Sequence, residues 1–114
     1  MHARGKEQFR NQVRSIIERY KEEFNFQIDR IYFRRMRTKW GSYSPKRNLT
    51  INTLLKYLPD RLIEYVIIHE MVHSQERKHN ERFWKMISKK FKNSEKQEKD
   101  LLIYWLLVQD MINE

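Results

Sequence analysis

The chain of 114 residues carries a net charge of +9, contains no cysteine and has a mean hydropathy of −0.92. This length predicts one domain, residues 1–114, with a modest core. The absence of cysteine excludes disulfides and thiolate metal sites. No secretory signal is visible, and the longest apolar run, Leu101–Val108, is too short to span a bilayer. We therefore expect a cytoplasmic protein without a membrane partner.

The N-terminal part of the chain predicts one helix. Apolar side chains recur at steps of three and four over residues 6–24, which is the pattern of an amphipathic helix packed on the rest of the domain. The preceding residues 1–5, which include His2, are expected to be disordered.

Residues 28–52 predict the sheet. Apolar and polar side chains alternate from residue 28, and the apolar positions then change phase, which indicates a strand that breaks near Arg35. A polar turn at 42–48 leads into a returning strand at 49–52. We expect these strands to form a short antiparallel sheet or hairpin.

The same part of the chain is strongly basic. Seven basic residues and no acid occur from Arg30 to Arg47: Arg30, Arg34, Arg35, Arg37, Lys39, Lys46 and Arg47. Such a stripe can attract a nucleic acid through its phosphates. The alternative is that these side chains only keep strand and loop faces soluble, and charge alone does not separate the two interpretations.

A helix predicted over residues 59–76 carries the most informative motif, His69-Glu70-Met71-Val72-His73. Pro59 favours a helix start, and the helix is apolar on nearly every side, which is typical of a buried helix. Histidine and glutamate side chains would be costly there unless a metal ion or another partner satisfied them.

The spacing of the motif suits zinc. Residues four apart lie on one helical face with Cβ atoms about 5–6 Å apart, so His69 and His73 can reach one Zn²⁺ at about 2.0–2.1 Å. Glu70 lies on the neighbouring strip and is offered to the attacking water as a base. The alternative is a pair of hydrogen-bonded core histidines, with Glu70 paired to a cation.

A catalytic zinc needs a third protein ligand, and His79 is the best candidate. The chain must break and fold back after His73 to bring it to the metal. Asn80 is then predicted to cap a new helix. Three carboxylates remain as alternative ligands: Glu64, Glu76 and Glu81.

Residues 80–112 predict the C-terminal helices. Phe83 and Trp84 are expected to pack behind the metal ligands and fix their orientation. Ser94 is predicted to cap a last helix over residues 95–112, whose continuous apolar run must be buried on most sides. This helix either completes the core or meets a copy of itself in a dimer, and we favour the monomer.

Four motifs of the chain together resemble the YgjP-like zinc metallopeptidases, which are relatives of the SprT-like and WLM-type proteases. The motifs are residues 37–44 (RTKWGSYS), 50–52 (TIN), 58–73 and 79–84 (HNERFW). The resemblance implies a small α+β zincin-like domain that binds one zinc per chain. It further implies that His69, His73 and His79 are the zinc ligands and that Glu70 is the catalytic base.

The resemblance also suggests that a peptide substrate is held by strand addition beside the zinc helix. The possible substrate-binding residues are Arg37, Lys39, Trp40, Gly41 and Tyr43. Gly41 would allow close backbone approach, whereas Trp40 has the alternative role of a core anchor. The group that stabilises the oxyanion stays open among Tyr43, Tyr57, Tyr65 and Arg37.

These observations predict a zinc-dependent metallopeptidase with a protein or peptide substrate. The rival interpretation is a basic nucleic-acid-binding module with a structural metal, although such a site usually needs a fourth protein ligand. A protease recruited to DNA-bound proteins would combine the two.

Overall fold

The computed structural model describes residues 3–113 and shows the predicted small α+β fold. Its elements, in chain order, are α1 Lys6–Phe24, β1 Arg30–Arg34, β2 Gly41–Tyr43, β3 Asn48–Asn52, a 3₁₀ turn Thr53–Tyr57, α2 Asp60–Val72, α3 Glu81–Ser88 and α4 Ser94–Ile112.

Helix α2 forms the centre of the molecule. Its apolar side chains are all buried, and α1, β2, β3, α3 and α4 pack around it. Pro59 is the N-cap and not the first helical residue. The helix ends at Val72, earlier than predicted, but the chain stays hydrogen-bonded to Glu76, whose N–H donates to the Val72 carbonyl at 2.9 Å.

The sheet has the strand order β1-β3-β2. Strands β2 and β3 form an antiparallel hairpin, but β2 lies at the end of the predicted strand and in the predicted turn. Strand β1, which was expected to pair antiparallel with the returning strand, pairs with β3 in parallel, with Arg30 opposite Asn48. The expectation of a purely antiparallel sheet is therefore wrong. After the predicted break near Arg35, residues 35–40 carry the chain from one edge of the sheet to the other.

Buried Asn52 holds this crossing segment in place. Its Nδ2 donates to the carbonyls of Met36 at 3.1 Å and Lys39 at 2.8 Å, while its Oδ1 accepts from the Leu54 N–H at 3.0 Å. A buried amide stabilises a structure only where its donors and acceptor are satisfied. Asn52 therefore fixes the position from which the chain enters β2.

The segment before α1 contacts the start of α2. The Arg4 guanidinium donates to the Leu58 carbonyl at 2.6 Å and to the Asp60 carboxylate. The disorder expected for residues 1–5 stays a prediction. Met1 and His2 lie outside the described residues.

Helix α4 differs most from the prediction. Asn93, and not Ser94, is its N-cap, and Val108 is buried. Four of its apolar side chains are exposed by 44–63%: Leu102, Ile103, Leu106 and Leu107. The expectation that α4 is buried on most sides is therefore wrong. No helix among the described residues combines the length and apolar character needed to cross a membrane.

Candidate active site

Three histidines converge at the C-terminal end of α2. His69 lies in its last turn, His73 is its C-cap, and the following turn brings His79 back beside both. One ring nitrogen from each histidine lies within 4.8 Å of the others. Because zinc binds imidazole nitrogen at about 2.0–2.1 Å, small side-chain adjustments would let the three share one ion.

The surroundings of these rings fit a metal site. His73 Nδ1 lies 3.0 Å from the Glu76 carbonyl, so a proton on this nitrogen leaves Nε2 available to an ion. Partial desolvation of its ring lowers the pKa of His79, and the neighbouring His69 and His73 lower it further. A lowered pKa favours the neutral imidazole that metal binding requires.

Both aromatic residues expected to pack against the histidines lie beside them. The Trp84 ring centroid lies 6.2 Å from that of His69 and 6.1 Å from that of His79. The buried Phe83 ring lies with its centroid 5.0 Å from that of His69, 4.8 Å from His73 and 4.7 Å from His79. Asn80 caps α3 as predicted, because its Oδ1 accepts from the Phe83 N–H at 3.0 Å. This cap places Phe83 directly after the turn that carries His79.

Glu70 is held against strand β2. Its Oε2 lies 3.2 Å from His69 Nδ1, and its side chain packs on Gly41. A Cβ atom at Gly41 would lie 3.1 Å from Glu70 Cγ and 3.2 Å from the Thr50 carbonyl oxygen. Such contacts are tighter than most that Cβ atoms make, so a side chain at position 41 would require its neighbours to move by a few tenths of an ångström. Glycine lets β2 pass directly over Glu70 without that shift.

Two grooves meet at His69 and Glu70. The apolar groove, of about 430 Å³, is walled by Trp40, Val66, Leu101, Leu102 and Trp105. The second groove, of about 460 Å³, is lined by Ser42, Tyr43, Ser44, Pro45, Arg77 and His79. Lys39 and Gly41 border both grooves, so the two form one cleft that runs across the end of α2.

Four of the predicted substrate-binding residues lie in this cleft: Lys39, Trp40, Gly41 and Tyr43. Arg37 is exposed and lines neither groove. Trp40 is also a core residue, 9% exposed, whose Nε1 donates to the Leu101 carbonyl at 3.2 Å. Its two predicted roles are therefore compatible.

The alternative ligands are engaged elsewhere. Glu64 accepts a hydrogen bond from the Tyr20 hydroxyl. Burial of the Tyr20 hydroxyl is the main cause, and this hydrogen bond the second, that raises the pKa of Tyr20 to about 12. The Glu76 carboxylate accepts from Asn80 Nδ2 at 2.7 Å, and Glu81 lies 3.6 Å from Lys85. The metal-ligand cluster among the described residues contains only the three histidines.

The tyrosines proposed for the oxyanion are not free in the cleft. The Tyr43 hydroxyl donates to the Gln27 carbonyl at 2.8 Å, and Tyr65 is fully buried. Tyr57 borders a separate depression beside Arg4.

Sequence reasoning missed Glu98 as a neighbour of the site. This α4 residue lies with Oε2 3.9 Å from His69 Nε2. Burial, followed by the Glu98 carboxylate, raises the pKa of the Tyr65 hydroxyl. Neither that hydroxyl nor Glu98 Oε2 forms a hydrogen bond of standard geometry. No local sequence signal marks Glu98, because only packing of α4 brings it to His69.

Comparisons with known proteins found a matching family model and similar solved structures. The YgjP-like metallopeptidase domain model matches residues 1–103. The crystal structure of the jannalysin zymogen, a metallopeptidase of Methanocaldococcus jannaschii, is 25% identical with a TM-score of 0.65, covering 86% of this chain and 95% of that one. The abylysin metallopeptidase zymogen of Pyrococcus abyssi is 18% identical with a TM-score of 0.72, covering 81% and 93%.

No curated protein sequence matches the chain significantly. The family model nevertheless covers most of its length, and the structural matches share its fold. The chain therefore belongs to the YgjP-like metallopeptidase family, whose members are metal-dependent peptidases.

Proposed function

We propose that the protein is a zinc-dependent endopeptidase in which His69, His73 and His79 hold one zinc ion and Glu70 is the general base. The observation that carries this proposal is the convergence of three imidazole nitrogens within 4.8 Å, directly beside Glu70 and at the junction of two grooves. Bound zinc would supply Lewis acidity toward the scissile carbonyl and the attacking water.

Glu70 supplies the proton transfers. Its carboxylate takes a proton from the attacking water and then delivers it to the nitrogen of the leaving amine. The contact with Gly41 restricts the side chain, which is 14% exposed, to the position between the two grooves. This restriction keeps the base beside the bond that a peptide in the cleft presents.

Strand β2 offers its free edge to an extended substrate. The Trp40 carbonyl accepts from the Asn52 N–H at 2.9 Å, and the Ser44 N–H donates to the Asn48 carbonyl at 3.0 Å. In an antiparallel pair the alternate residues direct their main-chain groups away from the partner strand. Gly41 and Tyr43 therefore present backbone donors and acceptors for strand addition.

Replacement of Glu70 by glutamine tests the proposal. We expect E70Q to keep its zinc and fold while hydrolysis of unfolded casein falls by roughly 10²- to 10⁴-fold, the usual contribution of a general base. The matched control is E81Q, an exposed glutamate outside the cleft, which should keep full activity. Hydrolysis by E70Q at the wild-type rate would contradict the assignment.

The basic stripe supports nucleic-acid binding as a second function. All seven of its side chains are exposed, and none forms an ion pair within residues 3–113. Unneutralised cations would bind phosphates in a salt-dependent manner. The partner would be the nucleic acid of a structural-metal module or of a protease recruited to DNA-bound proteins.

Binding of a fluorescein-labelled DNA duplex over a range of salt concentrations tests this second function. We expect the double variant R34E/R35E to weaken binding and to reduce its salt dependence. Unchanged binding would remove the stripe as the binding surface. Binding without hydrolysis in either wild type or E70Q would favour the structural-metal module.

A further inference from the structure

We propose that the apolar groove is the subsite for a large hydrophobic side chain, aromatic or aliphatic, of the substrate residue next to the scissile bond. This inference rests on the proposed function, since it concerns the substrate of the same site. His69 and Glu70 line the groove. A side chain that fills it therefore belongs to a residue whose peptide bond lies at the base.

The walls of the groove are apolar and fixed before binding. Trp40 and Trp105 meet edge to face, with their centroids 4.9 Å apart. The bond from Trp40 Nε1 to the Leu101 carbonyl joins the segment before β2 to α4 across this contact. A preformed concave site of about 430 Å³ falls in the usual range for ligand sites, roughly 300–1,000 Å³.

Leu102 gives the groove an apolar surface that the fold itself leaves uncovered. Its side chain is 63% exposed although it borders the groove and follows the packed Leu101. An apolar substrate side chain would cover it and remove both surfaces from water. The same groove also carries three charged side chains: Lys39, Glu70 and Glu98.

The second groove is lined by a different set of residues. Two serines, Tyr43, Pro45 and Arg77 border it, and no leucine or tryptophan does. Leucine and tryptophan side chains therefore lie on one side of Glu70 only. The large hydrophobic side chain of the substrate is expected on that side, next to α4.

Peptide binding to the E70Q protein tests the subsite without requiring turnover. The probes are blocked pentapeptides, acetyl-Ala-Ala-X-Ala-Ala-amide, in which X is Phe, Leu or Asp. We expect the Phe and Leu peptides to bind at least about tenfold more tightly than the Asp peptide, as differences in hydrophobic side chains allow. In nuclear magnetic resonance spectra they should shift the Trp40 and Trp105 indole signals.

The variant L102D, made in the E70Q background, should remove this preference. The matched control is L106D on the same helix, because Leu106 is also 63% exposed but lies outside the apolar groove. Equal affinity of the Phe and Asp peptides, or equal loss in both variants, would overturn the proposal. Selective loss in L102D supports the subsite even if the wild type cleaves no peptide, an outcome that would refute only the peptidase assignment.

Discussion

Helices α2 and α4 are both strongly apolar, but they differ in how far their apolar side chains are buried. Both are rich in apolar side chains, and both were predicted to be buried on most sides. In α2 the apolar side chains are at most 3% exposed, whereas Leu102 and Leu106 of α4 are each 63% exposed. Apolar composition thus predicts that burial of a surface would stabilise the protein. It does not predict which helix, strand or ligand covers that surface.

The difference follows from position. Helix α2 is surrounded by α1, the sheet and the other two helices of the C-terminal half. Helix α4 packs on one side, through Val108 and the Trp40–Trp105 contact. Part of its remaining apolar surface borders the cleft, which is where a substrate could cover it.

The largest expected difference between the helices is in stability. Ile67→Ala removes buried atoms from α2 and should lower the free energy of unfolding by about 2–5 kcal/mol. Leu106→Ala removes exposed atoms from α4 and should change it by less than about 0.5 kcal/mol. Urea unfolding measures both. Similar losses in the two variants would mean that α4 is covered in solution, and the comparison would fail.

A smaller effect is expected where α4 attaches to the rest of the domain. Trp40→Phe removes the hydrogen bond to the Leu101 carbonyl, whose net contribution is about 0.5–1.5 kcal/mol, together with part of the buried ring that contacts Trp105. We expect this substitution to accelerate amide hydrogen exchange, relative to the wild type, more in α4 than in α2. Tyr32→Phe, which keeps an exposed ring on β1, is the control and should leave both helices unchanged. Equal acceleration in α2 and α4 would show that the bond does not act on α4 specifically.

The smallest effect concerns the start of α2. Hydrogen bonds from Gln12 and Arg4 lower the pKa of the Asp60 carboxyl. Its ionised form is therefore favoured in the folded state, so the added stability is present above the unfolded value, about 3.9, and is lost as the pH falls through the lower folded value.

We expect the free energy of unfolding, measured with urea, to fall when the pH is lowered from 5 to below 4. This fall should be smaller in D60N than in the wild type. The effect should be small, because the Asp60 side chain is 78% exposed and solvent screens it. The control is D110N on α4, since Asp110 forms no ion pair within the described residues. Identical pH dependence in wild type and D60N would contradict the role of these hydrogen bonds.

The parts of the molecule that depend on local chemistry were predictable. The spacing of His69 and His73, the break before His79 and the cap at Asn80 each follow from neighbours a few residues apart in the chain. Local patterns also gave the bounds of α1 and the break near Arg35. These features need no knowledge of how distant segments pack.

The remaining features depend on distant segments. Strand β1 pairs in parallel because residues 35–40 cross the sheet under the control of buried Asn52. Glu98 and Leu102 reach the cleft only because α4 packs across α2. No periodic pattern in the sequence predicts either arrangement. The apolar groove and the Glu98 carboxylate near His69 were therefore missed.

The most direct test of the central claim is zinc content by elemental analysis of purified wild type and His79→Ala. The three-histidine site predicts one zinc per wild-type chain and a sharp loss in the variant. His79 is exposed and lies outside every helix and strand, so its replacement should not unfold the domain. Zinc bound equally by both proteins would remove His79 from the site and contradict the account.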